Sequence, residues 1–269
     1  GEAILAGPAT KVSCIEEAFE HLSSGCVLLF FTSYTDGDII LIQDEEYHHL
    51  VNVMRAQIGE QITVCFNDGY DNLCEIISLG KNLATLKIMS RQKNNAEADI
   101  DVTLFQAVPK GDKLDLIVQK STELGVKKIV PFLSKFTQTK AISVKSDRLK
   151  KVATEAAKQC GRAVVPEIEE VKTFSEVLKT LDEYDYILMP YELEKTREIK
   201  TALIKANKPT SIAIIIGSEG GFCIDEIEQA KQCGADIVSL GNRILRAETA
   251  AISVMSIVIY QFEQMKTGV

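Results

Sequence analysis

Two short segments combine residue types and spacings that can do chemistry. The first is IIIGSEGGF, Ile214–Phe222. An unbroken apolar run of strand type leads straight into Gly-x-x-Gly-Gly, and a helix-like stretch follows. In open α/β sheets, ligands settle where strand C-termini meet loops, and glycines there let the backbone approach a ligand closely. Glu219 stands in the middle of this loop. A carboxylate so placed can bind a ribose hydroxyl, hold a substrate base or take a proton. The plainer alternative is a tight strand–helix turn carrying a solvent-exposed Glu. The loop lacks the Gly-Lys-Ser/Thr ending of a P-loop and the G-x-G-x-x-G spacing of a dinucleotide fold. The second segment is LGNRILRAETA, Leu240–Ala250. A short strand ends at a glycine, and Arg243, Arg246 and Glu248 crowd the loop before a final helix. Two arginines within four residues can grip phosphate or a carboxylate, and a helix N-terminus favours anions. The alternative is a capped helix start with surface charges.

These segments need a scaffold, and the pattern along the chain predicts one. The polar run Arg91–Asp99 separates two styles of sequence. Beyond it strands and helices alternate. Strands are expected at Asp101–Val108, Lys128–Leu133, Tyr184–Met189, Ser211–Ile216 and Asp236–Leu240. Helices are expected at Lys113–Leu124, Ser146–Gly161, Glu192–Ala206, Asp225–Cys233 and Glu248–Met265. Such alternation implies a parallel sheet covered on both faces. Before the run, Val27–Phe31, Asp38–Ile42, Gln61–Phe66, Leu73–Ser78 and Ala84–Met89 read as short strands. A helix capped by Asp44 interrupts them, and a small barrel is the expected form. Residues 1–25 read as an extension, with a helical pattern at Cys14–Leu22.

Bulk properties narrow the function classes. The chain has 269 residues, 46% of them apolar, which suits a packed globular protein. No run approaches the roughly 18 apolar residues of a membrane span, so a soluble cytoplasmic protein is expected. The seven cysteines form no CxxC pair, and with three histidines they complete no zinc-ligand spacing. Reduced cysteines acting as small hydrophobes, and no metal, are expected. Net charge is −8, yet Lys110–Arg162 carries thirteen basic and five acidic residues. Nucleic-acid binding depends on a local basic surface rather than the total. Solvated helix faces explain the same surplus.

Read together, the two segments resemble the C-terminal signature of the family that methylates N3 of a uridine in bacterial 16S ribosomal RNA. That family belongs to the SPOUT superfamily. Three upstream blocks carry the same resemblance: HHLVNVMRAQIGE (His48–Glu60), QAVPKGDKLDLIVQKSTELGV (Gln106–Val126) and EAAKQCGRAVVPEI (Glu155–Ile168). In order, these blocks cover most of residues 27–260. Ser218 stands where the family usually has proline, Asn242 where proline is common and Ala247 where threonine is common. Residues 1–25 match no part of the pattern.

The resemblance implies an α/β fold. A SPOUT-type, trefoil-knotted parallel-sheet domain over 96–269 would follow a PUA-like β-barrel RNA-binding domain over 26–95. It implies S-adenosyl-L-methionine as methyl donor, held by Gly217, Glu219, Gly220, Gly221, Leu240, Gly241, Ile244, Leu245 and Arg246. Glu219 is the first candidate base, with Glu248 second and Arg246 as anion stabiliser. Arg55, Lys110, Lys113, Gln159, Arg162 and Arg243 are the expected RNA contacts. The expected partners are ribosomal RNA or the small ribosomal subunit and a second copy of the chain, with neither DNA nor a membrane. Two other readings remain open: a SPOUT methyltransferase acting on another RNA, and a non-catalytic RNA-binding or ribosome-assembly factor.

Overall fold

The computed structural model describes residues 29–32, 35–138, 144–206 and 208–263. The 1–25 extension lies outside the described residues. Two compact units are present: the described residues up to Phe66 together with Tyr70–Gln92, and Asn67–Gly69 together with the chain from Lys93 onward.

The first unit is a six-stranded sheet in the order β1-β4-β5-β6-β3-β2. Its strands are β1 (Leu29–Phe31), β2 (Thr35–Asp36), β3 (Ile39–Gln43), β4 (Gln61–Cys65), β5 (Tyr70–Leu79) and β6 (Leu83–Lys93). Strand alternation buries one face. Asn72, Cys74 and Ile76 on β5 turn inward against Phe30, Ile40, Val64 and Leu86. The buried Asn72 side chain donates its Nδ2–H to the Val64 carbonyl at 2.9 Å, while its Oδ1 is buried without a hydrogen-bond partner. Helix α1 (Asp44–His48) runs into a π-helical turn, His49–Val53, that plugs the core with Leu50. Asp44 is not its cap. It is the first helical residue, at φ +53°, and Gln43 takes the cap position without a side-chain bond. Strand β6 also continues to Lys93, through the start of the polar run.

Burial pushes the Cys74 thiol up to about 12. An alkylating reagent at pH 8 is therefore expected to label exposed Cys233 in the native protein and to spare Cys74 until the chain unfolds. Mass spectrometry of labelled peptides checks this. Labelling of native Cys74 at the rate of Cys233 would contradict the burial argument.

The second unit is an all-parallel sheet in the order β10-β8-β7-β12-β11-β13, with β9 beside β8. Its strands are β7 (Asp101–Ala107), β8 (Lys128–Leu133), β9 (Glu167–Ile168), β10 (Lys172–Thr173), β11 (Tyr186–Pro190), β12 (Ser211–Ile216) and β13 (Asp236–Val238). The helices are α2 (Lys113–Glu123), α3 (Ser146–Cys160), α4 (Phe174–Leu178), α5 (Ile199–Lys205), α6 (Ile224–Gln232) and α7 (Ala247–Phe262). Central strands β7 and β12 are buried along nearly their whole length. That is why they read as continuous apolar runs rather than alternating ones. Helices α2, α3, α5 and α7 cover one face through Ile117, Leu149, Leu203 and Val258. Helices α4 and α6 cover the other through Phe174, Val177, Ile227 and Ala230.

One expectation fails instructively. The helix expected over Glu192–Ala206 begins only at Ile199. Glu194 ends the run-up: its carboxylate accepts from Thr196 N–H and Oγ1–H at 2.6 Å and from Arg197 N–H at 3.1 Å. These bonds hold the carboxyl at a pKa of about 2. The resulting loop brackets β13's end. Tyr191 N–H donates to Val238 O at 2.9 Å, Ser239 N–H to Arg197 O at 2.8 Å, and Ile199 N–H to Ser239 O at 3.2 Å.

Candidate active site

The C-terminal ends of β11 and β12 and the chain leaving β13 surround a cavity of about 450 Å³. Gly217–Phe222 forms one wall. Ser239–Gly241 and Arg243–Ala247 form another, and Pro190, Tyr191 and Glu192 a third. Each wall follows from local sequence. The buried Ser218 and Gly221 close a tight turn, with Gly221 N–H donating to Ser218 O at 3.0 Å and Gly221 at φ +64°. Gly241 N–H bonds Ser239 Oγ at 3.2 Å, with Gly241 at φ +104°. Gln106, buried at the end of β7, donates to Gly217 O at 3.3 Å and ties the glycine loop to the central strand.

A side chain is sterically excluded at Gly220 and crowded at Gly221. A Cβ on Gly220 would lie 2.6 Å from Phe136 Cβ, and one on Gly221 would lie 2.5 Å from Glu192 Oε1. Phe136 belongs to a turn fixed by buried Glu226, whose carboxylate accepts from Lys135 N–H at 2.8 Å and Cys223 N–H at 2.9 Å.

Glu219 lines the cavity and is held by two partners. Lys113 Nζ donates to it at 2.7 Å and the Lys110 backbone N–H at 3.2 Å. Burial pushes its pKa up. The Lys113 bond and the backbone N–H groups of Glu219 and Lys110 more than offset this and leave the carboxyl below its ordinary value. The bond to Glu219 in turn holds the Lys113 ammonium above its ordinary value. Glu248, in the first turn of α7, stands 3.6 Å from the same ammonium, and its Oε2 is buried without a hydrogen-bond partner. Lys113 and Glu248 adjoin the cavity through Glu219 rather than lining it.

The structure thus brings Gly217, Glu219, Gly220, Gly221, Leu240, Gly241, Arg243, Ile244, Leu245 and Arg246 around one cavity. Other expected residues go elsewhere. Arg55 lies in the first unit, exposed at φ +58°. The Lys110 and Gln159 side chains are exposed. Lys113 is a partner of carboxylates before it is a phosphate contact. Arg162, expected to touch RNA, is buried: its guanidinium donates to Glu97 at 2.8 Å and to the Thr122 and Val126 carbonyls at 2.9 and 2.8 Å. All its reach is directed inward, so it is a structural residue. Removing it leaves the partly buried Glu97 carboxylate with the Val164 N–H but without its cation, and leaves the Thr122 and Val126 carbonyls without their donor, at up to about 3–5 kcal/mol. An Arg162→Met variant is expected to lose on the order of 10 °C in Tm, and calorimetric unfolding checks it. An unchanged Tm with weakened RNA binding would restore the surface role. Much of the basic surplus is likewise paired: Arg148 with Asp115, Lys120 with Glu123, and Lys128 with Glu167 and Glu169.

Sequence reading missed Glu192, Tyr191 and Phe136. The signal was available for the first two, because Tyr191 and Glu192 directly follow a largely buried strand in an open α/β sheet. A second cavity, about 560 Å³, opens at the opposite ends of β11 and β13. There Asp236 already pairs with Arg197 and accepts from Tyr186 Oη–H at 2.7 Å, so the charges satisfy one another. Among the described residues no cluster of three His, Cys, Asp or Glu could hold a metal ion, and no helix is long and apolar enough to cross a membrane.

Fold and site together define the class: an RNA methyltransferase with an attached PUA unit. Residues 96–259 match the RNA methyltransferase domain family and residues 42–89 its RNA methyltransferase PUA domain. The ribosomal RNA small subunit methyltransferase E of Bacillus subtilis is 36% identical, over 84% of this chain and 91% of the relative. That of Rickettsia conorii is 31% identical, over 82% and 89%. The crystal structure of the enzyme from Neisseria gonorrhoeae bound to S-adenosyl methionine superposes with a TM-score of 0.80. It is 26% identical and the match covers 89% of this chain and 100% of that one. This chain belongs to the ribosomal RNA small subunit methyltransferase E family.

Proposed function

We propose that the chain transfers a methyl group from S-adenosylmethionine to N3 of a uridine in 16S ribosomal RNA. The observation that carries this reading is the glycine-cradled cavity with the Lys113–Glu219–Glu248 cluster at its edge. The cavity fits the methyl donor. Side-chain-free backbone at Gly217, Gly220 and Gly221 leaves a wall on which a flat group can lie, and Leu240, Gly241, Ile244 and Leu245 face it. When bound, the donor supplies a methyl group on a sulfonium that is already an activated leaving group.

The chain's own task is then alignment and proton removal. Uridine N3 bears a proton at neutral pH, and its loss spreads charge over N3, O2 and O4. Glu219 is the acceptor, because it lines the cavity and Glu248 does not. Lys113 keeps Glu219 ionised and oriented, and Glu248 shares that ammonium. Arg246 and Arg243, exposed at the rim, stabilise the anion or hold backbone phosphate.

The knotted path is what the family resemblance implies; Tyr191, Arg197 and Ile199 bond to Val238 and Ser239 beside the end of β13. A homodimer is what the family resemblance implies, and Tyr260, 88% exposed on α7, is available to such an interface. Most of the apolar stripe of α7, including Val254, Met255 and Val258, lies in the protein's own core and contributes nothing to such an interface. A cytoplasmic location follows from the ribosomal substrate. The test is methylation of purified small subunits, naked 16S RNA and transfer RNA, followed by nucleoside analysis. N3-methyluridine confined to the ribosomal substrates is expected. Product on transfer RNA, or a methylated 2′-hydroxyl, overturns the reading.

A further inference from the structure

We propose that Glu192 is the anionic anchor of the methyl donor and accepts hydrogen bonds from the vicinal diol of its ribose. The inference rests on S-adenosylmethionine being the occupant of the cavity. It adds a ligand residue that the glycine and arginine segments do not contain. Glu192 follows the C-terminal end of β11 and lines the cavity. Both carboxylate oxygens lie over Gly221: a Cβ there would stand 2.5 Å from Oε1 and 3.3 Å from Oε2. The absence of a side chain at Gly221 is therefore what admits the carboxylate to this wall.

No hydrogen bond or ion pair to the Glu192 carboxylate occurs among the described residues. Its surroundings contrast with those of Glu219, which is held by Lys113 and Lys110. A solvent-exposed carboxylate at a cavity wall gains from a ligand whose donors replace its water in fixed geometry. The donor molecule offers an ammonium, an adenine amino group and a ribose diol. Of these, the cis diol presents two donors on a rigid ring at a spacing that matches the two oxygens of one carboxylate. Acidic residues at strand ends of nucleotide-binding α/β sheets meet ribose in the same way.

The test is calorimetric binding of S-adenosylmethionine and of methylthioadenosine, which keeps the ribose and lacks the amino-acid end. The full chain is compared with Glu192→Ala. The expected result is a ten- to hundredfold loss of affinity for both ligands, the size of a charged hydrogen-bond pair, with the Tm of the free protein unchanged. A loss confined to S-adenosylmethionine overturns the ribose assignment and moves Glu192 to the ammonium. Unchanged affinity for both overturns the anchor altogether. If the unaltered chain binds neither ligand, the reading of the cavity falls and this inference falls with it.

Discussion

A Gly220→Ala variant is expected to bind S-adenosylmethionine at least tenfold more weakly than the unaltered chain while remaining folded. The new Cβ would lie 2.6 Å from Phe136 Cβ and 3.3 Å from Phe136 O, neither of which is the end of a flexible side chain. Relief therefore requires backbone movement on one side. The Phe136 side resists. Thr137 N–H donates to Ser134 O at 3.0 Å, Ser134 N–H donates to Thr137 Oγ1 at 3.0 Å, and Lys135 N–H is held by buried Glu226. Moving that turn breaks a buried hydrogen bond to a carboxylate, at about 1.5–3 kcal/mol. The glycine loop is the softer side, so it shifts, and the cavity wall shifts with it. Gly221→Ala has a milder steric partner, because Glu192 Oε1 can swing away, but its φ of +64° costs roughly 1–2 kcal/mol for an L residue. A second substitution separates the causes. Phe136→Gly removes the opposing Cβ, so the Gly220→Ala, Phe136→Gly double variant should recover most of the lost affinity. Calorimetry reads the affinity, and thermal unfolding reads the fold. A double variant no better than Gly220→Ala alone would show that the Phe136 contact does not hold the loop.

These two glycines illustrate what the sequence displays and what it hides. The glycine loop was legible because strand, Gly-x-x-Gly-Gly and helix succeed one another locally, a spacing that fits both a tight turn and close approach of a ligand. The parallel sheet was legible for a similar reason: β7 and β12 are buried on both faces, so their apolar runs are unbroken. Pairing across the fold was not legible. Lys113 and Arg162 displayed positive charge in a basic stretch, and that suggested RNA. Their partners, Glu219 and Glu97, are 106 and 65 residues away in sequence. A charge is visible in one residue, whereas its neutralisation needs the tertiary structure. The loop Tyr191–Glu198 was hidden for a related reason. Its spacing suits a helix, but the Glu194 carboxylate competes for backbone N–H groups that a helix would use. The short strands β9 and β10 escaped notice because two-residue strands carry no periodicity, whereas helix α4 announced itself only through the Thr173–Glu176 capping box.

Glu219→Gln is expected to lower kcat about 10²–10⁴-fold, the usual contribution of a positioned general base, with S-adenosylmethionine binding little changed. The stronger test concerns pH. In the resting site burial raises the Glu219 pKa, and the hydrogen bond from Lys113 leads the effects that outweigh it, so the carboxyl titrates below its ordinary range. A base with a lowered pKa is ionised over the whole working range but is weak. Glu248 stands 3.6 Å from the same ammonium. Substituting Lys113→Met removes the largest lowering influence and leaves burial in place. The Glu219 pKa must then rise, and the acid limb of the kcat profile must move to higher pH. In the Lys113→Met, Glu219→Gln double variant this limb should be absent. The direction is diagnostic. If Lys113 only held backbone phosphate, Lys113→Met would raise KM for RNA and steepen nothing in the pH profile. If Glu248 were the acceptor instead, Glu248→Gln would abolish turnover and Glu219→Gln would keep it. Rates at saturating RNA, followed down through the ordinary carboxylate range, separate the three cases. Full turnover by Glu219→Gln at saturating substrate would exclude it as the base.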